Sequence, residues 1–319
     1  MTKSFQKKMI ICQVSLANNL PVIKENYDNF SKFYKNLTFF IICPKKQIKI
    51  FKKKLNKKNI IIINENQILP FSRFKLIFEK LAKKVSYKKK LLNRLGWYYQ
   101  QILKIVFILN NKMCRNNNLV LWDADTLILK KIDFFNKNRS IFCSNVFEYH
   151  RSYFYTSQIF LKTKIPSNYL SSVNQFIAIN PSENKYIRNR LSGTKNKKIK
   201  SNDISKKMFK SIFTGNINFN HSMFSEYETI GLLKYLKSSN IKQKIIFFLR
   251  YKISGKLTNF QKKICIFFNC FHVSYEEHNG NALAKKILYK KQKIIPFLII
   301  FFKQYVKYLG RKTRYIFLK

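Results

Sequence analysis

Short runs of apolar, mostly β-branched residues alternate with helical patterns through the first half of the chain. Residues 39–43 and 60–63, and residues 9–14 apart from Gln13, are as short and apolar as strands that are buried on both faces of a sheet. Residues 71–92 and 97–110 have the longer apolar spacing of helices. This alternation predicts an α/β domain with a single mixed, mainly parallel sheet flanked by helices. Ligands of such sheets bind beyond the carboxyl ends of the strands.

The charge balance of the 319 residues is extreme, with 63 Lys and Arg against 14 Asp and Glu, a formal charge of +49. Clustered bases first indicate a nucleic-acid partner. The excess, however, is 53 Lys against only 10 Arg, whereas the Arg fork is the group that matches phosphates and guanine. Lys, Ile and Asn are residues of AT-rich codons. We therefore interpret most of the charge as genome composition on a globular protein, and disfavour a nucleic-acid partner.

The cysteines occur singly, in or beside apolar runs, and no CxxC pair is present. This usage is typical of reduced, buried thiols in a cytoplasmic protein. Cys265, Cys270, His272 and His278 match no common zinc spacing, so we interpret them as structural. The opening residues resemble a weak signal peptide, but a first core strand explains them equally well and is favoured.

The last segment, 287–319, is basic and rich in aromatic residues. Its longest apolar run, 294–302, is too short to span a bilayer, which needs roughly 20 residues. Two interpretations remain open. The segment is either a basic, hydrophobic anchor on a membrane surface or a C-terminal helix packed on the body of the protein.

Acidic residues are scarce, so their positions are informative. Asp123 and Asp125 directly follow the apolar run 119–122. A tight turn can aim two such carboxylates at one point beyond the strand end, and Mg²⁺ and Mn²⁺ favour one or two carboxylates plus substrate phosphates. The pair is therefore a candidate site for a metal-bound diphosphate. The alternative is an ordinary turn in which Asp125 caps the following segment.

A second candidate site lies on the helix over 97–110. Trp97, Gln100, Gln101 and Lys104 share one stripe of this helix, because they are spaced at i, i+3, i+4 and i+7. Amides and an ammonium on one face can hold a sugar hydroxyl and a phosphate. The alternative is an amphipathic helix with a solvated polar side.

A third candidate site is the segment 220–231, in which carboxylates stand beside Tyr and Phe. Glu226 is a candidate general base for an acceptor hydroxyl. The same residues also fit a helix start with Ser225 as the cap and Glu228 completing a capping box. The two interpretations are compatible. Further along, a His in the 271–278 segment could complete a metal shell, although a structural His is more common.

These three motifs, GWYYQQILK, LVLWDADTLILKKI and FSEYETIG, resemble in this order an uncharacterised bacterial family classed as glycosyltransferases of the GT-A fold. The resemblance covers about residues 9–280. It implies that Asp123 and Asp125 bind the metal and the diphosphate, and that Glu226 serves the acceptor or catalytic site. It also implies a further metal ligand at His278 and a donor site lined by Trp97, Gln100, Gln101 and Lys104.

The sequence thus predicts a cytoplasmic, metal-dependent glycosyltransferase. One of the two interpretations of the tail would also place it on the inner face of the cytoplasmic membrane. With Mn²⁺ or Mg²⁺ it would move a sugar from a nucleoside diphosphate sugar to a polysaccharide or a lipid-linked glycan. Residues 1–135 would form the nucleotide-sugar half of a GT-A-like domain, 136–286 the acceptor half, and 287–319 a basic helical tail. One rival is a nucleic-acid-binding or nucleotidyl-transferring protein that uses the same carboxylates. Another is a catalytically idle scaffold on a membrane surface.

Overall fold

The computed structural model describes residues 8–83, 85–136, 139–145, 149–192, 200–214, 222–238, 243–250, 256–275 and 293–317. The strands lie mainly in the first half and are short. They are β1 (Met9–Val14), β2 (Leu37–Cys43), β3 (Ile60–Asn64), β4 (Asn118–Trp122), β5 (Thr126–Ile128), β6 (Phe135–Asn136), β7 (Arg139–Ser140), β8 (Phe142–Ser144), β9 (Phe176–Ile179), β10 (Gln243–Ile245), β11 (Phe247–Leu249) and β12 (Cys270–Ser274).

Helices connect these strands and continue to the end of the described chain. They are α1 (Leu20–Phe33), α2 (Ile48–Lys54), α3 (Phe71–Leu81), α4 (Lys88–Leu92), α5 (Leu95–Asn110), α6 (Lys112–Asn116), α7 (Arg151–Leu161), α8 (Pro181–Ser192), α9 (Ser201–Phe213), α10 (Glu226–Lys237), α11 (Asn259–Phe267) and α12 (Ile294–Phe317).

The central sheet has the strand order β3-β2-β1-β4-β9. Strands β1 to β4 run parallel, and β9 pairs antiparallel with β4. Strand β1 is buried along its whole length, including Gln13, as its mostly apolar sequence predicts for a strand covered on both faces. The predicted fold class, a mixed, mainly parallel sheet flanked by helices, is confirmed.

The two faces of this sheet bury separate cores. On one face, Ile10, Cys12 and Leu121 pack with α5 and with the helices α7 to α10. On the other face, Ile11 and Trp122 pack with α1 and with the strand β12. Helix α5 is buried on nearly all sides because it lies between the sheet and further helices, and this burial extends to its polar residues.

A smaller sheet, of order β11-β12-β5, lies beside the carboxyl end of β4. Strand β5 begins four residues after β4 ends and pairs antiparallel with β12, so Thr126 lies opposite Ser274. The connection between β4 and β5 is the segment Asp123–Ala124–Asp125. The second sheet therefore fixes the far side of that turn.

Other features of the sequence can also be compared with the structure. The thiols are all free and buried, as expected. The polar, basic segment 182–202 contains most of α8 and the start of α9. The tail forms the helix α12, which packs on the body through Phe297, Phe301 and Tyr308. Among the described helices, none is both long enough and apolar enough to cross a membrane.

Candidate active site

The turn between β4 and β5 lies where the connections of the sheet change direction. From β1 the chain moves outward through β2 and β3, and then returns to place β4 on the other side of β1. The carboxyl ends of β1 and β4 therefore border the crevice in which α/β sheets bind ligands. Asp123 and Asp125 follow β4 at this position, and both side chains are only partly buried.

Backbone and side-chain hydrogen bonds fix this turn from several sides. The Thr126 amide donates to the carbonyl of Asp123 (3.1 Å), which closes the turn, and the indole of Trp122 donates to the carbonyl of Thr126 (2.7 Å). The Tyr275 amide donates to the carbonyl of Asp125, and the Asp123 amide donates to the carbonyl of Gln175 (both 2.9 Å). The two carboxylates are therefore presented by a backbone that is held in place.

The ammonium of Lys104, from the middle of α5, lies next to this turn in the interior. It forms ion pairs with Asp123 and with Glu226, the latter at 2.5 Å. The side chains of Lys104 and Glu226 are each 4 % exposed, whereas that of Asp123 is 24 % exposed. The hydroxyl of Tyr227 donates to the same Asp123 oxygen (2.6 Å). All three sequence motifs thus meet at Lys104.

The start of α10 brings Glu226 to this cluster. The amide of Glu226 donates to the side-chain oxygen of Gln101 (3.0 Å), and Ser225 caps the helix by accepting from the amide of Glu228 (3.3 Å). The expected Ser225 cap is therefore present, but the expected capping box is not formed. The Glu228 carboxylate instead accepts from the hydroxyl of Ser171 (2.7 Å), so it supports the loop before β9.

Burial and charge set the protonation of the cluster. Burial alone would lower the pKa of Lys104, but the carboxylates of Asp123 and Glu226 raise it well above its usual value. Burial raises the pKa of Glu226 against the opposing effect of Lys104. Burial and the neighbouring carboxylates also raise the pKa of Tyr227. The lysine is therefore a fixed buried cation that balances two carboxylates, and the tyrosine stays a donor.

The other predicted site residues lie further from this cluster or outside the description. Trp97 is half-buried and stacks on Tyr153, with ring centroids 6.3 Å apart. Gln100 is half-buried on α5. His272 is buried in β12, stacked on Phe248, and its pKa is lowered to about 3 by burial, as befits a structural histidine. His278 lies outside the described residues.

Sequence reasoning missed Tyr227 and Gln175. Tyr227 follows Glu226 directly, but the sequence indicates only that an aromatic residue stands beside the carboxylates. Gln175 adopts the left-handed conformation (φ 62°), and its carbonyl accepts from both the Asp123 amide and the Tyr227 hydroxyl. Such backbone conformations in non-glycine residues are held by their surroundings and concentrate at functional sites. No local sequence signal marks this position.

The side chains at the turn can be compared with the ligands that a divalent cation prefers. Within the described ranges, no group of three or more His, Cys, Asp or Glu side chains is placed to hold a metal ion. The two turn carboxylates remain, partly exposed and beside the crevice. Mg²⁺ and Mn²⁺ commonly take one or two carboxylates and complete their shells with water and substrate phosphates. Asp123 and Asp125 fit a cation of this kind, which a bound substrate would complete.

Fold and site together define an α/β protein with a carboxylate pair at the switch point of its sheet, held against a buried lysine. The chain belongs to the family of unknown function DUF6492, whose sequence profile matches residues 17–228. This stretch contains all three motifs up to Glu228. No curated protein sequence matches the chain.

Several solved structures are similar to the chain at low sequence identity. Mouse xyloside xylosyltransferase 1 in its apo form is 9 % identical, with 84 % of this chain and 97 % of that chain covered and a TM-score of 0.39. An active-site mutant of LgtC is 9 % identical, with 92 % and 96 % covered and a TM-score of 0.38. The mannosyltransferase Ktr4p from S. cerevisiae, in complex with GDP, is 12 % identical, with 40 % and 36 % covered and a TM-score of 0.23. Similarity at this level does not identify the reaction of this chain.

Proposed function

We propose that this protein is a metal-dependent glycosyltransferase of the GT-A type, which uses a nucleoside diphosphate sugar as its donor. The observation that carries the proposal is the Asp123–Ala124–Asp125 turn. It stands at the switch point of the sheet, its carboxylates are partly exposed, and one of them is tied to a buried lysine. A diphosphate needs charge neutralisation as the sugar leaves, and a divalent cation on two carboxylates supplies it.

Asp123 and Asp125 would hold Mn²⁺ or Mg²⁺ together with the diphosphate of the donor. The ammonium of Lys104 has three donors, and Asp123, Glu226 and Tyr227 accept them, so we assign Lys104 a positioning role. Its ammonium and the Tyr227 hydroxyl both contact one oxygen of Asp123, which orients the carboxylate and leaves its other oxygen for the ligand. Trp97, Gln100 and Gln101 remain proposed donor-site residues.

Glu226 is the proposed base for the acceptor hydroxyl. Its carboxylate shares the Lys104 ammonium with Asp123, so donor and acceptor groups are coupled through one cation. Replacing Glu226 with Gln should lower kcat by about 100-fold or more, because the proposed base is removed. An unchanged kcat would contradict the proposal that Glu226 is the base for the acceptor hydroxyl.

The proposed acceptor is a glycan or a lipid-linked glycan at the cytoplasmic face of a membrane. The net charge of +49 would attract both an anionic donor and an anionic acceptor surface. The rival function, nucleic-acid binding, rests on the same charge but has no further observation in its favour.

A donor screen tests the proposal. The melting temperature of the protein is measured with Mn²⁺ and each common nucleoside diphosphate sugar, because a ligand that binds only the folded state must raise it. We expect one donor to raise the melting temperature, and the Asp125→Ala variant to lose that shift. The Asp133→Asn variant removes an exposed carboxylate elsewhere and should keep it. A shift that survives in Asp125→Ala would contradict the proposal.

A further inference from the structure

The C-terminal helix α12 carries two apolar stripes rather than one. Its docked stripe comprises Phe297, Phe301 and Tyr308, which are buried. Phe301 packs on Phe247 and Phe268, with ring centroids 5.7 and 5.4 Å away. This stripe accounts for the attachment of the helix to the body.

The exposed stripe consists of large apolar residues at alternating spacings of four and three. Their exposed fractions range from 43 % at Leu309 to 68 % at Ile295. At 100° per residue, the centre of this stripe lies about 140° around the helix from that of the docked stripe. The members of the exposed stripe are Ile295, Ile299, Phe302, Val306 and Leu309.

The neighbouring helix α11 extends this apolar surface. Phe268, just after α11, packs edge-on against Phe302 of the exposed stripe (5.7 Å between centroids). The preceding Phe267 is 80 % exposed. Monomeric soluble proteins rarely expose contiguous apolar surface of this kind unless it binds something.

The charge beside the exposed stripe selects the partner. Lys303 and Lys307 are exposed on the same helix, and the sequence contains no Asp or Glu after Glu277. A second copy of the chain would bring the same positive charge to such an interface. An anionic lipid surface supplies the opposite charge together with an apolar interior.

We infer that α12, with Phe267 beside it, is a membrane-docking surface that inserts its exposed stripe into the interfacial region of an anionic lipid bilayer. The helix lies in the plane of the membrane, because its opposite face is fixed to the protein. This inference goes beyond the proposed sugar transfer and does not depend on it, since the docking surface shares no residue with the candidate active site.

The test is flotation of the full chain with vesicles made of equal parts phosphatidylglycerol and phosphatidylcholine, and with vesicles of phosphatidylcholine alone. We expect binding to the anionic vesicles that weakens as salt is added. The double variant Ile299→Ser/Val306→Ser should lose about tenfold or more of this binding, because two aliphatic contacts with the lipid are removed. The control Leu76→Ser removes an exposed leucine of α3 and should bind as the wild type does.

Light scattering on the same samples separates the alternatives. A wild type that stays off anionic vesicles, or a double variant that binds them as tightly as wild type, overturns the inference. A wild-type dimer that the double variant converts to monomer would assign the stripe to a second copy instead, and would also overturn it. Donor-induced melting shifts, measured in solution without lipid, should be the same in wild type and double variant, so a failure of lipid binding is distinguishable from a failure of the proposed function.

Discussion

Lys104 shows how a single buried charge can organise a site. The sequence placed it on a polar stripe of α5, with solvent as the alternative environment. In the structure its ammonium is buried and is balanced by Asp123 and Glu226. Neither partner was predictable from spacing along the helix, since they lie 19 and 122 residues further on. Because acidic residues are scarce in the sequence, Asp123 and Glu226 could be identified as candidates. Nothing in the sequence indicated that both contact Lys104.

Replacing Lys104 with Met should destabilise the protein by about 3–5 kcal/mol, because two carboxylates lose their buried counter-charge. Urea unfolding measures this change. Adding Glu226→Gln to the same chain should recover more than about 1 kcal/mol, since one uncompensated charge is removed. The exposed Lys112→Met is the control and should lie within about 0.5 kcal/mol of wild type. Additive effects of Lys104→Met and Glu226→Gln would contradict the coupling.

Glu228 should make stability depend on pH near neutrality. Burial raises the pKa of this carboxyl from 4.5 to about 7 in the folded state, so the folded protein binds its proton more tightly than the unfolded chain. The stabilisation from the protonated form is therefore lost as the pH rises. Between about pH 5 and 7, wild type should lose about 1.4 kcal/mol per pH unit relative to Glu228→Gln, and little more above that range.

Urea unfolding of both proteins at several pH values gives this difference directly. His272, whose pKa is lowered to about 3, contributes with the opposite sign below its ordinary value of 6.5, since folding is opposed when the unfolded imidazole binds a proton. That contribution is common to both proteins and cancels in the difference. A difference that does not vary with pH would show that Glu228 titrates normally.

Among the strands, the sequence predicted those whose residues form a mostly apolar run that the fold buries. Strand β1 occupies Met9–Val14, the predicted residues, because six apolar or buried positions in a row leave no other environment. The strands β6 to β8 and β10 to β11 span only two or three residues each. Strands β8, β10 and β11 also pair with partners that are distant in sequence. The antiparallel β9 was not assigned from the sequence, although it is an apolar run of four residues and directly follows Gln175, whose carbonyl lies at the site.

Close packing of α10 against the loop before β9 leads to a prediction at Gly231. A Cβ at this helical position would collide with the side chain of Ser172 and meet the hydroxyl of Tyr169 at 3.0 Å. Gly231→Ala should therefore destabilise the protein by about 1–3 kcal/mol, despite the better helix propensity of Ala. Gly310→Ala in α12 meets nothing within 4 Å and should stabilise by up to about 1 kcal/mol. Thermal unfolding of both variants measures whether each change lowers or raises stability. A stabilising Gly231→Ala would contradict the close packing of Gly231 against Ser172.

At the scale of the molecule, net charge and function have to be separated. The +49 of the sequence is spread over a surface of lysines, whereas the candidate site is organised by a few of its 14 acids. The two interpretations of the tail, anchor or packed helix, prove compatible in geometry, because α12 docks with one stripe and exposes another. Composition predicted a basic, apolar segment, but only the docked position of the helix shows which face remains available.

Asp123 and Asp125 are proposed to bind a diphosphate through a divalent cation. Calorimetric titration of UDP into the protein, with and without Mn²⁺, measures this coupling directly. We predict that Mn²⁺ tightens UDP binding by about tenfold or more, that Asp125→Asn abolishes this gain, and that Asp133→Asn retains it. The proposed metal site would be contradicted if the wild type bound UDP equally well with and without Mn²⁺. It would also be contradicted if Mn²⁺ increased the UDP affinity of Asp125→Asn as much as that of the wild type.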